Sequence, residues 1–359
     1  MGAAPVRTAD FDYELPPGQI AQTPLADRAA ARLLVLRRSD GALLHRTVRD
    51  LPELLCPGDL LVVNDTRVLP ARLHARRGSG GHVELLLLHP ASPGGGPSRE
   101  WVALARPARR LRPGDQLTPF CPDGEPGAGT RAEPIAVRAA LGEGRVAVEL
   151  PVSGPAVASF LQRWGQVPLP PYIHEALPDP ERYQTVYARA AGSAAAPTAG
   201  LHFTPELLAA LQARGVARTA VTLHVGLGTF RPVTAEDPRA HAMHAEWYEV
   251  TPETAEAVRA ARGRGGRVVA IGTTAVRTLE TAAGPEGVRA GSGWTDLYIL
   301  PGWRFRAVDA LLTNFHLPRS TLLMLVSAFA GRDAVLGAYR HAVAAGFRFF
   351  SFGDAMLIL

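Results

Sequence analysis

The chain has 359 residues, 47% of them hydrophobic and 20% charged, with a formal net charge of +5. That length suits two domains better than one. The composition excludes a disordered chain, which would need low hydrophobicity and high net charge. All 38 basic residues are arginine, since the sequence has no lysine. Arginine stays charged at any ordinary pH and presents a planar fork of donors suited to phosphate and carboxylate. A nucleic-acid partner is compatible with this surplus, and so is an ordinary solvated surface. The two cysteines, Cys56 and Cys121, form neither a disulfide framework nor a thiolate metal cluster. No window approaches about 20 apolar residues without charge. A soluble cytoplasmic protein without a membrane span is therefore expected.

From Ala31 the chain reads as strand, a hairpin at Ser39-Asp40-Gly41, strand, then a short helix, because Asp-Gly between apolar runs favours a tight hairpin. A Pro-Gly turn leads to an apolar strand at residues 60–63, which ends on Asn64-Asp65-Thr66-Arg67. Residues 71–150 then supply six short strand candidates separated by Gly- and Pro-rich turns, a pattern that predicts a small barrel or sandwich. This stretch interrupts flanks of α/β character. The expected organisation is a discontinuous main domain, 1–70 and 151–359, with an inserted β domain at 71–150.

Downstream, VASFLQRWG predicts a helix, and the prolines of VPLPPYI forbid one. Thr204-Pro205-Glu206 and Thr251-Pro252-Glu253 are two copies of one helix start: a capping threonine, proline in the first turn and an early acid. Repeated strand–loop–helix units predict helices over a largely parallel sheet, with any site beyond the carboxyl ends of its strands. The loops at 226–230 and 272–274 fit that position.

Several constellations could carry chemistry. Gly226, Gly228 and Thr229, and likewise Gly272, Thr273 and Thr274, combine open backbone with hydroxyls suited to phosphate or ribose. Tight turns explain them equally, and neither is a Walker or dinucleotide motif. His241, His244 and Glu246 are clustered, but at no recognised metal-ligand spacing, so no metal is expected. Thr313-Asn314-Phe315-His316 precedes a helix start that could receive an anion or simply be capped by Ser320 or Thr321. Phe349-Phe350-Ser351-Phe352-Gly353-Asp354 mixes aromatics, which could stack on a base or fill a core, with an acid. Arginine clusters lie at 76–77, 106–112 and 259–267.

Long blocks identify a family. DYELP, LLVVNDTRVLPARL, ERYQTVYAR, GSAAAPTAGLHFT, HVGLGTFRPV, HAMHAE, GTTAVRTLE, TNFHLPRSTLLMLVSAFAG, AYRHA and FRFFSFGDAML occur in this order over nearly the whole length. Together they resemble the S-adenosylmethionine:tRNA ribosyltransferase-isomerases of queuosine biosynthesis. The family more usually has a small residue where Leu227 stands. The resemblance implies an α/β main domain with an inserted small β-barrel domain. It implies a tRNA partner with a GUN anticodon carrying 7-aminomethyl-7-deazaguanine at the wobble position. It also implies S-adenosylmethionine as a consumed ribosyl donor, with no cofactor; epoxyqueuosine forms, and adenine and methionine leave.

Within the matching blocks, the expected catalytic residues are Glu246, Asp65, His241 and His244. The donor is expected at Gly226, Gly228, Thr229, Gly272, Thr273, Thr274, Asn314 and His316. The tRNA is expected at Arg67, Arg277, Arg319, Phe350 and Asp354. His202 and His224 belong to the same polar pool, and a monomer is the expected state. Two other classes remain open: a non-enzymatic RNA-binding protein that uses the inserted barrel, and a methyltransferase, although the latter should show a glycine-rich loop after an early strand.

Overall fold

The computed structural model describes residues 6–91, 98–122, 132–226 and 233–359. It divides into two units, Met1–Arg67 with Pro170–Ala190 and Ala196–Leu359, and Val68–Leu169 with Ala191–Ala195.

The first unit is built on a nine-stranded sheet. From one edge to the other the strands are Gly291–Thr295, Glu246–Val250, Ala217–Leu223, Leu60–Asn64, Val268–Ile271, Ala310–Asn314, Ala355–Ile358, Arg32–Leu36 and Leu43–Thr47. Four central strands, from Ala217–Leu223 to Ala310–Asn314, run parallel. Both edges and the Ala310–Asn314 to Ala355–Ile358 pairing are antiparallel. The sheet is thus mixed rather than largely parallel. The sequence pattern around residues 246–250 and 291–295, EWYEV and GSGWT, is too polar and short to announce strands.

Alternation along the central strands explains the layers. Leu60, Val62, Val268 and Ala270 pack beneath the helices Pro252–Gly263, Thr273–Ala282, Thr321–Ala330 and Arg332–Ala344. Leu61, Val63, Val269 and Ile271 pack on the other face with Phe203, Leu207 and Leu211. Both faces are covered, so these strands are continuous apolar runs. The two Thr-Pro-Glu starts form as the sequence predicts: Thr204 accepts from the Leu207 N–H and Thr251 from the Thr254 N–H, each at 3.2 Å.

Asp59 pins the beginnings of two central strands. Its carboxylate accepts from the Cys56 N–H at 2.9 Å, the Arg267 N–H at 3.0 Å and the Arg267 guanidinium at 2.6 Å. Burial pushes this carboxyl up, but Arg267 and the two N–H groups outweigh it and hold it below the usual carboxylate range. The Leu60 N–H also donates to the Arg267 carbonyl, so the carboxylate fixes the register of Leu60–Asn64 against Val268–Ile271.

In the second unit, Arg72–Arg77, His82–Pro90, Glu100–Arg106, Arg145–Glu149, Ile135–Gly142 and Gln116–Phe120 pair in that order, and the last closes back on the first. The result is a six-stranded antiparallel barrel, the inserted β module that the short strand candidates predicted. Leu73, Ala75, Val83, Leu85, Leu117, Ile135 and Val148 fill it. The unit runs past the expected 71–150 limits. The helix Ala156–Trp164 leads into Gly165–Gln166, which pairs with Arg72 and Leu73. A Cβ at Gly165 would lie 1.8 Å from the Pro70 carbonyl oxygen, so only glycine allows this approach.

Substituting Asp59 with Asn removes a charged acceptor that no neighbour replaces. Asp59→Asn should lower unfolding free energy by about 1.5–3 kcal/mol, the scale of hydrogen bonds to a charged group, read as a lower urea midpoint. An unchanged midpoint would show that the carboxylate is dispensable.

Candidate functional site: a polar cavity at the ends of parallel strands

Parallel neighbours end on the same side of a sheet, so the carboxyl ends of Ala217–Leu223, Val268–Ile271 and Ala310–Asn314 open together. A cavity lies there, with about 730 Å³ of free space including its open mouth. Val225, Gly272 to Thr274 and Thr313 to Leu317 line it from the strand ends, with Tyr172, Thr198, Phe350 and Ser351 around them.

The helix Thr273–Ala282 begins at this wall. Gly272 has φ +88° and supplies no side-chain cap, so the first N–H groups of the helix are left for a ligand or water. The Thr274 hydroxyl is buried and has no hydrogen-bond partner among the described residues. A buried hydroxyl without a partner is costly, and here it lies in a wall that a bound molecule would touch.

Opposite, Asn314 is fixed from three sides. Its Oδ1 accepts from the Thr198 hydroxyl at 3.0 Å. Its Nδ2 donates to the Phe350 carbonyl at 3.1 Å and lies 3.4 Å from His202 Nε2. His316 Nε2 is 2.9 Å from the Thr313 hydroxyl. Phe350 holds a left-handed φ of +72°, a strain that non-glycine residues tolerate mainly where a site needs it. Its ring lies 4.3 Å from that of Tyr172, whose hydroxyl hydrogen-bonds Ser351.

Burial lowers three imidazoles to the low end of the scale. His316 falls to about 3 and His202 to about 4; the latter drop is opposed by the charge of Asp354. His224 falls to about 4 through burial, opposed by Asp65. All three are neutral near pH 7, so they serve the site as hydrogen-bonding groups and not as cations.

Of the expected donor-binding residues, Gly272, Thr273, Thr274, Asn314 and His316 come together at this cavity. Gly226 borders it in sequence and donates its N–H to Glu246 Oε1 at 2.7 Å. Gly228 and Thr229 lie outside the described residues.

The expected catalytic acids are both engaged. Glu246 is buried in an ion pair with Arg277, and each side chain is 4% exposed. Arg277 Nε also donates to the Leu297 carbonyl at 3.0 Å. Asp65 is buried, accepting from the Thr222 hydroxyl at 2.7 Å and from Arg189 Nη2 at 2.8 Å. His241 sits edge-on to Tyr298 with centroids 5.8 Å apart, while His244 is exposed. Neither histidine lines the cavity. Among the described residues no three of His, Cys, Asp or Glu converge as a metal site would require.

The residues expected at tRNA divide four ways. Arg277 is not a surface cation, because its guanidinium serves Glu246 and backbone carbonyls. Asp354 is 1% exposed and ties the last strand to Arg32 and to the Arg348 N–H. Phe350 is a cavity wall rather than an exposed stacking platform. Arg67 and Arg319 do reach solvent, paired with Glu181 and Asp12. Ser351 lies in the aromatic block that the sequence marks, whereas Tyr172 and Thr198 reach the cavity without a local signal of a site. Tyr172 sits in a proline-rich loop whose sequence signals only the absence of a helix.

The model of the queuosine biosynthesis protein family matches residues 8–358. The chain belongs to this family. It is 56% identical over 356 residues to a Symbiobacterium thermophilum protein named S-adenosylmethionine:tRNA ribosyltransferase-isomerase, covering 99% of this chain and 100% of that one. A protein of the same name from Anaeromyxobacter sp. strain Fw109-5 is 57% identical over 355 residues, covering 98% and 99%. The crystal structure of S-adenosylmethionine tRNA ribosyltransferase from Thermotoga maritima matches with a TM-score of 0.55 at 40% identity, over 98% of this chain and all of that one. No single helix among the described residues is long and apolar enough to cross a membrane.

Two outcomes follow. Thr274→Val removes a hydroxyl that has no partner in the protein. It should leave stability unchanged or raise it, while weakening ligand binding at the cavity by about 2- to 10-fold, one net hydrogen bond. Calorimetric titration with S-adenosylmethionine and a thermal melt read both; equal binding would remove the hydroxyl from the site.

The second concerns acid. Unfolded histidines take a proton near pH 6.5, whereas His202, His224 and His316 resist it until about pH 3 to 4. The unfolded chain therefore binds more protons below pH 6.5, and stability falls as pH drops through this window. His316→Gln should flatten that slope by up to about 1.4 kcal/mol per pH unit. An unchanged slope would show His316 titrating normally.

Proposed function

We propose that this chain is an S-adenosylmethionine:tRNA ribosyltransferase-isomerase acting on 7-aminomethyl-7-deazaguanine at the wobble position of tRNAs with GUN anticodons. The products are epoxyqueuosine in tRNA, adenine and methionine, and the donor is consumed rather than regenerated as a cofactor. One observation carries the reading: the uncapped Gly272–Thr273 helix start and the unpartnered Thr274 hydroxyl face the same cavity as Asn314 and neutral His316. Such a site suits a donor that combines a carboxylate with ribose hydroxyls and a heteroaromatic base. Open N–H groups receive the carboxylate. Hydroxyl and amide groups fix the ribose, and the Tyr172–Phe350 pair offers apolar surface to a ring. The names of the full-length relatives supply the reaction class.

The chemistry sets demands on the chain. The aminomethyl nitrogen forms a bond to C5′ of the donor as the C5′–S bond breaks and methionine leaves. The nitrogen must be neutral to attack and must shed a proton afterwards. Arginine cannot accept that proton, so the task falls to a carboxylate. Glu246 is the acid that accepts from the Gly226 N–H, and Gly226 follows the lining residue Val225 in sequence. In the resting protein Arg277 and the Gly226 N–H hold both its oxygens, which positions the carboxylate without spending it on solvent. Adenine leaves with the electron pair of the glycosidic bond and takes up a proton, and one C–H proton lost from the ribosyl carbons balances this as they rearrange to the epoxide-bearing ring. A soluble cytoplasmic monomer with no bound cofactor or metal is part of this proposal.

The test is to incubate protein, donor and substrate tRNA and to identify products by mass. Adenine and a tRNA heavier by the ribosyl unit are expected; S-adenosylhomocysteine and methylated tRNA would make the chain a methyltransferase instead. Glu246→Gln should slow single-turnover adenine release by about 100-fold or more. It also strands Arg277, costing about 3–5 kcal/mol. The double variant E246Q/R277M removes both charges and should recover stability without recovering rate. A normal rate in either variant would take the proton-accepting role away from Glu246.

A further inference from the structure

The barrel has a feature that the cavity chemistry does not use. Residues 68–169 contain twelve arginines and eight acidic residues, so they carry four of the five net positive charges of the chain. Alternation along the barrel strands buries Leu73, Ala75, Val83, Leu85 and Leu117 and turns their neighbours outward. The outward neighbours form a compact aromatic and cationic cluster over three adjacent strands. His74 lies opposite Phe120, and Arg76 opposite both His82 and Thr118. The His74 and His82 rings stack at 5.2 Å with 15° between their planes. The Phe120 ring lies 6.2 Å from His74 and 5.5 Å from His82, and the Arg76 guanidinium sits 4.8 Å from its centroid. Arg76 makes no ion pair among the described residues, and it and His82 are exposed. Nearby on the barrel, Arg106 closes the next strand, and Arg109, Arg110 and Arg112 follow it, all exposed.

We propose that this face of the barrel is a stacking platform for unpaired nucleotides of the substrate RNA, centred on Phe120 and Arg76. The choice of RNA rests on the function proposed above; the platform itself rests on the barrel geometry. A core role does not account for the cluster, because the barrel interior is already filled from the opposite faces of the same strands. Flat rings beside an unpaired guanidinium match the two things every unpaired nucleotide offers, a π face and a phosphate. Duplex RNA hides its base faces, so the surface discriminates in favour of single strands. The arginines along the barrel supply charge complementarity for the flanking phosphates.

The test uses the full chain and three probes: an oligouridylate of about twelve nucleotides, a duplex RNA of equal length, and polyglutamate. The oligouridylate should bind more tightly than the duplex, and polyglutamate should compete weakly. Phe120→Ala and Arg76→Gln should each weaken oligouridylate binding by about 5- to 150-fold, the range for losing one stacked base. Phe120→Trp should retain binding, because it keeps a π face. Arg76→Gln should also reduce the slope of log K against log salt by about 0.7, one phosphate contact on a single strand. Arg37→Gln, at a hairpin of the other unit, should change nothing. Thermal melts guard against misfolding, and the tryptophan variant reports on Phe120 even if the alanine variant is unstable. Unchanged binding in R76Q and F120A, a preference for duplex, or equal competition by polyglutamate would overturn the platform. Phe120-dependent RNA binding without adenine release would support the platform and overturn the proposed function. Adenine release with no loss of RNA binding in these variants would do the reverse.

Discussion

The site depends on four parallel strands held in register. Parallel alignment brings the ends of Ala217–Leu223, Val268–Ile271 and Ala310–Asn314 to one side of the sheet, where the chain must turn before it can return. Register then decides which side chains reach the opening. The Asp59 carboxylate, holding the Arg267 backbone and guanidinium together, sets that register at the far end of the strands. Gly272 ends one strand with a left-handed turn, and the helix start that follows is left open toward the cavity because glycine has no side chain to close it.

Polarity around the cavity is managed in two ways. Where a charge is buried it is paired: Glu246 with Arg277, Asp65 with Arg189, Asp354 with Arg32. An unpaired buried charge would cost several kcal/mol, roughly the stability of a domain. Where an imidazole is buried it is neutral, and its ring is placed by hydroxyl or amide neighbours. A wall built this way has fixed dipoles and little net charge to reorganise, which is the environment in which developing charge on a reacting molecule is most strongly felt. Of the residues that line the cavity, the Thr274 hydroxyl is the buried group with no partner among the described residues.

The barrel solves a different problem. Closing six short strands removes the free edges that would otherwise pair with another chain. Closure also leaves one side of every strand facing out. On that side His74, Arg76, His82 and Phe120 gather on neighbouring strands, with Thr118 and Glu84 among them. The Gly165 approach to Pro70 and the pairing of Gly165–Gln166 with Arg72 and Leu73 draw the helix Ala156–Trp164 into the same unit.

Local signals in the sequence were sufficient for much of this. Asp40-Gly41 set the first hairpin, Thr-Pro-Glu set two helix starts, and six short strands between turns announced the barrel, because each depends on neighbours within a few residues. The blocks GTTAVRTLE and TNFHLP marked the cavity walls for the same reason: a glycine and hydroxyls at a strand end are visible as a motif. The sequence by itself could not say that Arg277, one turn into a helix from Thr273, points inward to Glu246 rather than outward to RNA. Nor could it place Asp354 or Phe350 inside. Charge and ring type are written in the residue, but burial is decided by what packs over it, and those partners lie tens to hundreds of positions away. The same holds for Tyr172, in a loop, and Thr198, at the start of a short 3-10 helix, which the fold carries to Phe350 and Asn314. The sequence determined the elements and the family; the tertiary structure decided which polar groups are spent on one another and which are left for a ligand.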